Sequence, residues 1–128
     1  MTQPLRLTRT SDGAVLATAL RLADRFGTRL RGLMGRRSLP AGEGLWIEPC
    51  SSIHMMFVPF PIDVLFLRRR DRDRLGPGAQ GEVLKVCEGV RAWIGLAWCA
   101  GASTAVELPA GGAKGVRAGD ELRLEVAA

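Results

Sequence analysis

The residues best suited to chemistry lie in one stretch, residues 49–67, which holds the single histidine and the first of three cysteines. His54 is a candidate general base, because a nearby carboxylate such as Asp63 can orient an imidazole and stabilise its charged form. Cys50 is the candidate nucleophile in the same stretch. Four residues of extended chain separate it from His54 by about 13 Å, so a thiol-to-imidazole hydrogen bond requires a bend between them.

The geometry of His54 and Asp63 depends on a predicted hairpin. Strands over residues 53–58 and 62–67, joined by a two-residue turn at 59–60, would place both side chains diagonally on one face, roughly 7–8 Å apart at the backbone. A shift of one residue would send Asp63 to the opposite face. The alternative is that both residues have structural roles. His54 would hydrogen-bond to its neighbours, and the Asp63 carboxylate, which lies inside an apolar strand, would need a partner. The candidate partners of Asp63 are His54, Arg31, Arg36 and backbone amides of the turn.

Four further residues complete the predicted ligand-binding set with His54 and Asp63. Trp46 and Trp93 each offer a wide apolar face with one hydrogen-bond donor, and their rings could line a cleft. The alternative for such residues is the hydrophobic core. The GEG turn at residues 42–44 lacks the glycine spacing of nucleotide-binding loops. The additional candidates are Trp46, Arg29, Glu43 and Trp93.

Composition predicts one domain over residues 1–128 that needs no metal or disulfide for its core. The three cysteines are an odd number without a C-x-x-C pair, which predicts reduced thiols, no metal site and no cofactor. No apolar run reaches the roughly 18 residues of a membrane helix, so we expect no membrane insertion. The N-terminus has no apolar segment of a secretory signal, which predicts a cytoplasmic protein.

The chain carries a formal net charge of +5, and only two of its eighteen basic residues are lysines. An arginine bias suits phosphate recognition, but it also accompanies alanine and glycine enrichment in GC-rich coding sequences. The arginine run at residues 68–74 contains two aspartates and lies in a polar loop with glycine and proline, so we expect a solvated surface loop. We therefore predict no specific nucleic-acid partner, only weak, salt-dependent association.

The predicted elements are mostly strands. Leu5 and Leu7 alternate with polar residues before an Asp-Gly turn, which predicts an opening hairpin with residues 15–20. A period of 3.6 predicts a helix at 24–35 that packs on the sheet through Phe26, Leu30 and Leu33. A helical turn or two is expected at 110–116. Further strands are expected at 44–47, 53–58, 62–67, 82–87, 104–108 and 121–126. This pattern predicts a mostly β fold, a compact sandwich or partly closed barrel with one or two short helices.

Several motifs in order resemble a known family. They are RLRGLMGRR at residues 29–37, GEGLWIEPCSSIH at 42–54, FPIDVLFL at 60–67, GEVLKV at 81–86, VELPAG at 106–111 and GDEL at 119–122. Together they resemble the prokaryotic family catalogued as domain of unknown function 192. The resemblance implies a compact, mostly β fold and no established activity. The chain departs from the family's pattern at Met55, Met56 and Ala92.

Three functional classes remain open at the level of the sequence. The first is a noncatalytic binding or accessory module whose cleft near His54 and Asp63 holds a small ligand or a protein partner. The second is a small enzyme that uses His54 with Asp63 or Cys50, for which a thiol or imidazole with a shifted pKa in a concave pocket would be the mark. The third is a weak nonspecific nucleic-acid binder, which would expose aromatic rings interleaved with arginines on one sheet face.

Overall fold

The computed structural model of the protein describes residues 4–71 and 74–127, apart from the side chains of Phe26 and Leu30. These residues form nine strands and one short helix. In chain order the elements are β1 (Leu5–Arg9), β2 (Val15–Ala23), α1 (Phe26–Arg31), β3 (Glu43–Ile47), β4 (Ser52–His54), β5 (Ile62–Arg69), β6 (Gln80–Val90), β7 (Leu96–Trp98), β8 (Thr104–Pro109) and β9 (Glu121–Val126).

Seven strands close into a barrel in the order β1-β2-β3-β8-β5-β6-β9, and β9 returns to pair with β1. Strands β2 and β3 run parallel, whereas the other barrel pairs are antiparallel. The predicted opening hairpin is confirmed as β1 and β2. Gly13 adopts a φ of 73° in its turn, a conformation open to glycine, and Asp12 Oδ1 accepts the Ala14 amide at 3.0 Å.

The barrel interior is filled by one buried face of every strand in it. Trp46 is the largest of these side chains, packed among leucines and valines such as Leu65 and Val106. Full burial of each such leucine or valine side chain stabilises the fold by roughly 1.5–3 kcal/mol. Strand β5 is buried on both faces, which is why its sequence IDVLFL reads as a continuous apolar run.

A second layer covers the outside of the barrel. Strands β4 and β7 form a separate two-stranded ribbon, with Ser52 opposite Trp98 and His54 opposite Leu96. Its middle residues, Ile53 and Ala97, are buried against the barrel's outer wall together with side chains of β5 and of the segment after α1. The predicted mostly β fold is therefore confirmed, and the barrel is closed rather than partly closed.

The predicted hairpin between residues 53–58 and 62–67 is wrong. Strand β4 ends at His54, and the chain turns at residues 56–57, where Phe57 has a φ of 63°. This left-handed conformation stops the alternation of a strand. Strand β5 instead pairs with β6 and β8 along the barrel wall.

Two predicted helices are also corrected. The first spans only Phe26–Arg31 because Gly32 and Gly35 take positive φ values of 47° and 81° directly after it. Leu33 is buried as predicted, but it lies beyond the helix end; the packing predicted for Phe26 and Leu30 falls on side chains outside the described part. Residues 110–116 form consecutive turns rather than a helix.

The polar loop that contains the arginine run is shorter than predicted, because β5 extends to Arg69 and β6 begins at Gln80. Within this loop, Arg72 and Asp73 lie outside the described residues.

Candidate functional site

A cavity of about 110 Å³ lies on the outer wall of the barrel, between the end of α1, the loop before β4, and β8. A single water molecule requires only ~10–15 Å³ of such space, so the cavity accommodates several waters or one small polar molecule. Polar groups converge on it from separate parts of the chain. They belong to Arg29, Arg31, Cys50, Ser52, His54 and Glu107.

Glu107 is the most unusual group in this cavity. It lies on β8 between Leu45 of β3 and Val64 of β5, on the outward face of the strand, and only 5% of the residue is exposed. Its Oε1 has no hydrogen-bond partner among the described residues. Burial disfavours the charged carboxylate, which raises the pKa of Glu107 to about 7.

Arg29 and Gly32 form the helical side of the cavity. The guanidinium Nη1 of Arg29 donates to the Pro49 carbonyl at 3.3 Å, while its Nε is buried without a partner in the described residues. Gly32 has no side chain, and a Cβ placed there would stand 3.9 Å from Glu107 Oε1. A larger residue would therefore extend into the space beside the carboxyl group.

Cys50 contributes a thiol to the cavity. Its Sγ donates to the Ser52 carbonyl at 3.1 Å. Burial raises the pKa of the Cys50 thiol, and the nearby Glu107 charge acts in the same direction. The thiolate is the nucleophilic form of cysteine, so this environment keeps the group in its less reactive state.

His54 lines the rim of the cavity and is exposed to solvent. Its Nδ1 accepts a hydrogen bond from the Met56 amide at 3.2 Å. That contact places the proton of the neutral imidazole on Nε2, the nitrogen that remains available to a ligand or to solvent.

Asp63 is held by backbone hydrogen bonds and does not pair with His54. The predicted pairing of His54 with Asp63 is wrong because β4 and β5 are not neighbouring strands. Asp63 is 1% exposed, and its carboxylate accepts three backbone amides, those of Gly89 at 2.9 Å, Gly111 at 3.0 Å and Ala113 at 3.0 Å. Backbone amides were among the expected partners, but these come from the end of β6 and the loop after β8. The carboxylate thus ties the end of β6 and the loop after β8 to the start of β5.

The other predicted site residues are dispersed. Trp46 is fully buried inside the barrel, where its Nε1 donates to Glu48 Oε1 at 3.3 Å. Glu43 pairs with Arg36 at 3.2 Å. Trp93 is 55% exposed on the outer ribbon side, with its ring 6.2 Å from that of Phe57. Of the six predicted residues, Arg29 and His54 line the cavity.

Sequence reasoning missed Glu107 as a site residue. The rule that selected Asp63, a carboxylate inside an otherwise apolar strand, applies equally to the sequence TAVELP around Glu107. Glu107 differs from Asp63 in what surrounds it. One Asp63 oxygen accepts one amide and the other accepts two, while one oxygen of Glu107 has no partner in the part of the chain that the structure describes. That distinction depends on tertiary structure.

The described residues contain neither a metal-ligand cluster nor a membrane-spanning helix. The three cysteines are free thiols. Within residues 4–71 and 74–127, no three or more histidine, cysteine or acidic side chains cluster in a way that could hold a metal ion. No helix in the same residues has the length and apolar character needed to cross a membrane.

The fold and site define a small closed β-barrel that carries an outer two-stranded ribbon and a polar cavity between the layers. The model of domain of unknown function 192, described as an uncharacterised ACR family, matches residues 7–124. The chain belongs to this family.

Two solved structures have a similar fold. One is a protein of unknown function from Novosphingobium aromaticivorans DSM 12444, with a TM-score of 0.72, 25% identity, and coverage of 94% of this chain and 83% of that one. The other, from Sinorhizobium meliloti 1021 and provisionally described as a transcription regulator, has a TM-score of 0.72, 24% identity, and coverage of 96% and 92% respectively. No curated protein matches the chain significantly.

Proposed function

We propose that the protein is a noncatalytic, cytoplasmic binding module whose cavity beside Glu107 holds a small polar ligand. The observation that carries this proposal is the buried Oε1 of Glu107, which has no hydrogen-bond partner within residues 4–71 and 74–127. A buried polar atom of this kind is costly, and a ligand that donates a hydrogen bond to it would remove the cost.

The chemistry of the ligand follows from the groups that face the cavity. Glu107 accepts a hydrogen bond when ionised and can also donate one when protonated, and its pKa of about 7 makes both forms accessible. The unpartnered Nε of Arg29 is a donor without acceptor capacity. A matching ligand therefore has a hydrogen-bond donor beside an acceptor, as in a small amide or an amino acid, and its size is limited by the cavity.

An acid–base enzyme is the second candidate function, and the same pKa of Glu107 favours it. Groups that transfer protons work best when their pKa lies near the working pH, and such groups gather at active sites. A nucleophilic role for Cys50 receives no support, since burial raises the pKa of its thiol. The two candidates differ in whether the bound molecule leaves the cavity unchanged.

A ligand screen with matched variants tests the proposal. The melting temperature of the protein would be measured with a panel of small amides, amino acids, amines and carboxylates, for the wild type, Glu107→Gln and Glu88→Gln. Glu88 is an exposed residue on β6 and serves as the control. We expect the stabilising compounds to lose their effect in Glu107→Gln and keep it in Glu88→Gln.

Two results would contradict the proposal. Equal stabilisation of the wild type and Glu107→Gln would show that the carboxyl group does not anchor the ligand. Chemical conversion of the stabilising compound by the wild type, detected by mass spectrometry and absent with Glu107→Gln, would favour the enzyme instead.

A further inference from the structure

The outer ribbon presents an exposed apolar surface. Eight large hydrophobic residues are exposed in the described part of the chain, and six of them belong to the ribbon and the loops beside it. Their exposed fractions range from 52% to 70%. Contiguous apolar surfaces of this kind mark interaction sites, whereas scattered exposed residues are ordinary. We call this surface the apolar patch, and its members are Met56, Phe57, Trp93, Ile94, Leu96 and Trp98.

Two aromatic residues of the apolar patch are held outward by strained backbone. Phe57 and Trp93 have φ values of 63° and 68°, and they are the non-glycine residues with positive φ among the described residues. Bulky side chains rarely adopt this conformation, and such strain collects at functional sites. The Trp93 amide donates to the Val58 carbonyl at 3.0 Å, and the two rings meet edge to face.

The chain segments that form or adjoin the apolar patch carry basic residues and no acidic ones. Residues 25–42, 50–60 and 91–103 contain six arginines and neither aspartate nor glutamate, although the whole chain has thirteen acidic residues. The first segment reaches the patch through the Gly35 amide, which donates to the Phe57 carbonyl at 3.0 Å. Lys85 adds a further cation, 5.5 Å from the centre of the Trp98 ring. An anionic partner fits this distribution.

We propose that the apolar patch docks the protein on an anionic phospholipid surface. Tryptophan favours the membrane interface, aliphatic side chains enter the acyl boundary, and arginines attract anionic headgroups, which are enriched in the cytoplasmic leaflet. A second copy of the chain fits less well, because an isologous contact would bring the positive rims together. A single-stranded nucleic acid fits less well too, because three of the six patch residues are aliphatic and offer no ring for stacking. The docking is peripheral and involves no membrane-spanning segment.

The test uses the full chain with vesicles of phosphatidylcholine, with and without roughly one third phosphatidylglycerol. Bound protein is measured by co-sedimentation and by tryptophan emission. Trp46 is buried in the barrel, so a blue shift on binding reports Trp93 and Trp98. We expect sedimentation and a blue shift with the anionic vesicles, both weakened at high salt.

Matched variants assign the binding to the apolar patch. Ile94→Glu changes a residue that is 70% exposed, and Val15→Glu makes the same change in chemistry at a residue that is 48% exposed on β2. Ile94→Glu is expected to lower the vesicle partition coefficient by roughly tenfold or more, and Val15→Glu by less than about twofold. Circular dichroism checks that both variants are folded.

Three outcomes would overturn the proposal. The first is failure of the wild type to sediment with anionic vesicles, or equal losses in the two variants. The second is a poly-thymidine oligonucleotide that binds more tightly than the vesicles at equal salt and loses affinity in Ile94→Glu. The third is a dimer detected by light scattering that Ile94→Glu dissociates, since it would assign the surface to a second copy.

Discussion

Removing the titratable group of Glu107 is expected to flatten the pH dependence of stability near neutrality. In the folded protein burial raises the pKa of Glu107 to about 7 from a usual 4.5. The folded state therefore binds more protons than the unfolded state between these values, and stability falls as pH rises through the folded pKa. The stabilising contribution is complete below the unfolded pKa.

The size of the effect follows from the two pKa values. A difference of roughly 2.5 pH units, at about 1.4 kcal/mol per unit, corresponds to a total on the order of 3 kcal/mol. Proton linkage predicts that about 2 kcal/mol of this contribution to the free energy of unfolding is lost between about pH 5.5 and about pH 8.5. Other glutamates and aspartates normally titrate below this interval, which isolates Glu107 from most of the carboxylates.

Urea denaturation at a series of pH values measures this contribution. The wild type is expected to lose stability across the interval, whereas Glu107→Gln loses less by about 2 kcal/mol because the amide does not ionise. Glu88→Gln, at an exposed position, is expected to follow the wild type. A Glu107→Gln curve parallel to that of the wild type would refute the buried, proton-binding carboxyl group.

Three further predictions concern stability and reactivity. Asp63→Asn is expected to destabilise the fold by about 2–4 kcal/mol in urea denaturation, because the buried carboxylate accepts three backbone amides; an effect within experimental error would contradict its role. Leu33→Ala is expected to cost about 2–5 kcal/mol, against less than about 0.5 kcal/mol for Val15→Ala at an exposed position. In a variant with Cys50 as the sole cysteine, the thiol is expected to react with Ellman's reagent more slowly in the folded protein than in urea, and equal rates would show that burial does not suppress its ionisation.

Local sequence patterns predicted the strands that line the barrel. Leu5 and Leu7 alternate with polar residues, the Asp-Gly pair supplies a turn, and the apolar run of β5 is buried on both faces. The resemblance to the family also led to the right fold. In each case the information lies within a few neighbouring residues, where side-chain period and turn chemistry act directly.

The ribbon could not be predicted in the same way. Strands β4 and β7 contain three residues each, too few for an alternating pattern to stand out, and they pair across more than forty residues of chain. The sequence around Phe57 predicts a continuing strand, because aromatic and β-branched residues favour strands. Tertiary contacts override that preference and hold Phe57 at positive φ.

The candidate site depended on distant contacts as well. The amides that satisfy Asp63 come from residues 26 or more positions away, so no local rule distinguishes it from Glu107. Arg29 and His54 were selected from sequence and do line one cavity. The sequence could not show that one oxygen of Glu107 lacks a partner among the described residues, because this depends on the assembly of α1, the loop before β4, and β8.

Binding of a small polar molecule in the cavity beside Glu107 can be tested by chemical-shift mapping. Two-dimensional amide spectra of the labelled protein would be recorded with the compounds that raise its melting temperature. We expect shifts confined to amides around the cavity, such as those of Gly32, Cys50 and Glu107, and we expect these shifts to disappear in Glu107→Gln. Shifts that map elsewhere on the barrel, or that persist in Glu107→Gln, would contradict binding in this cavity.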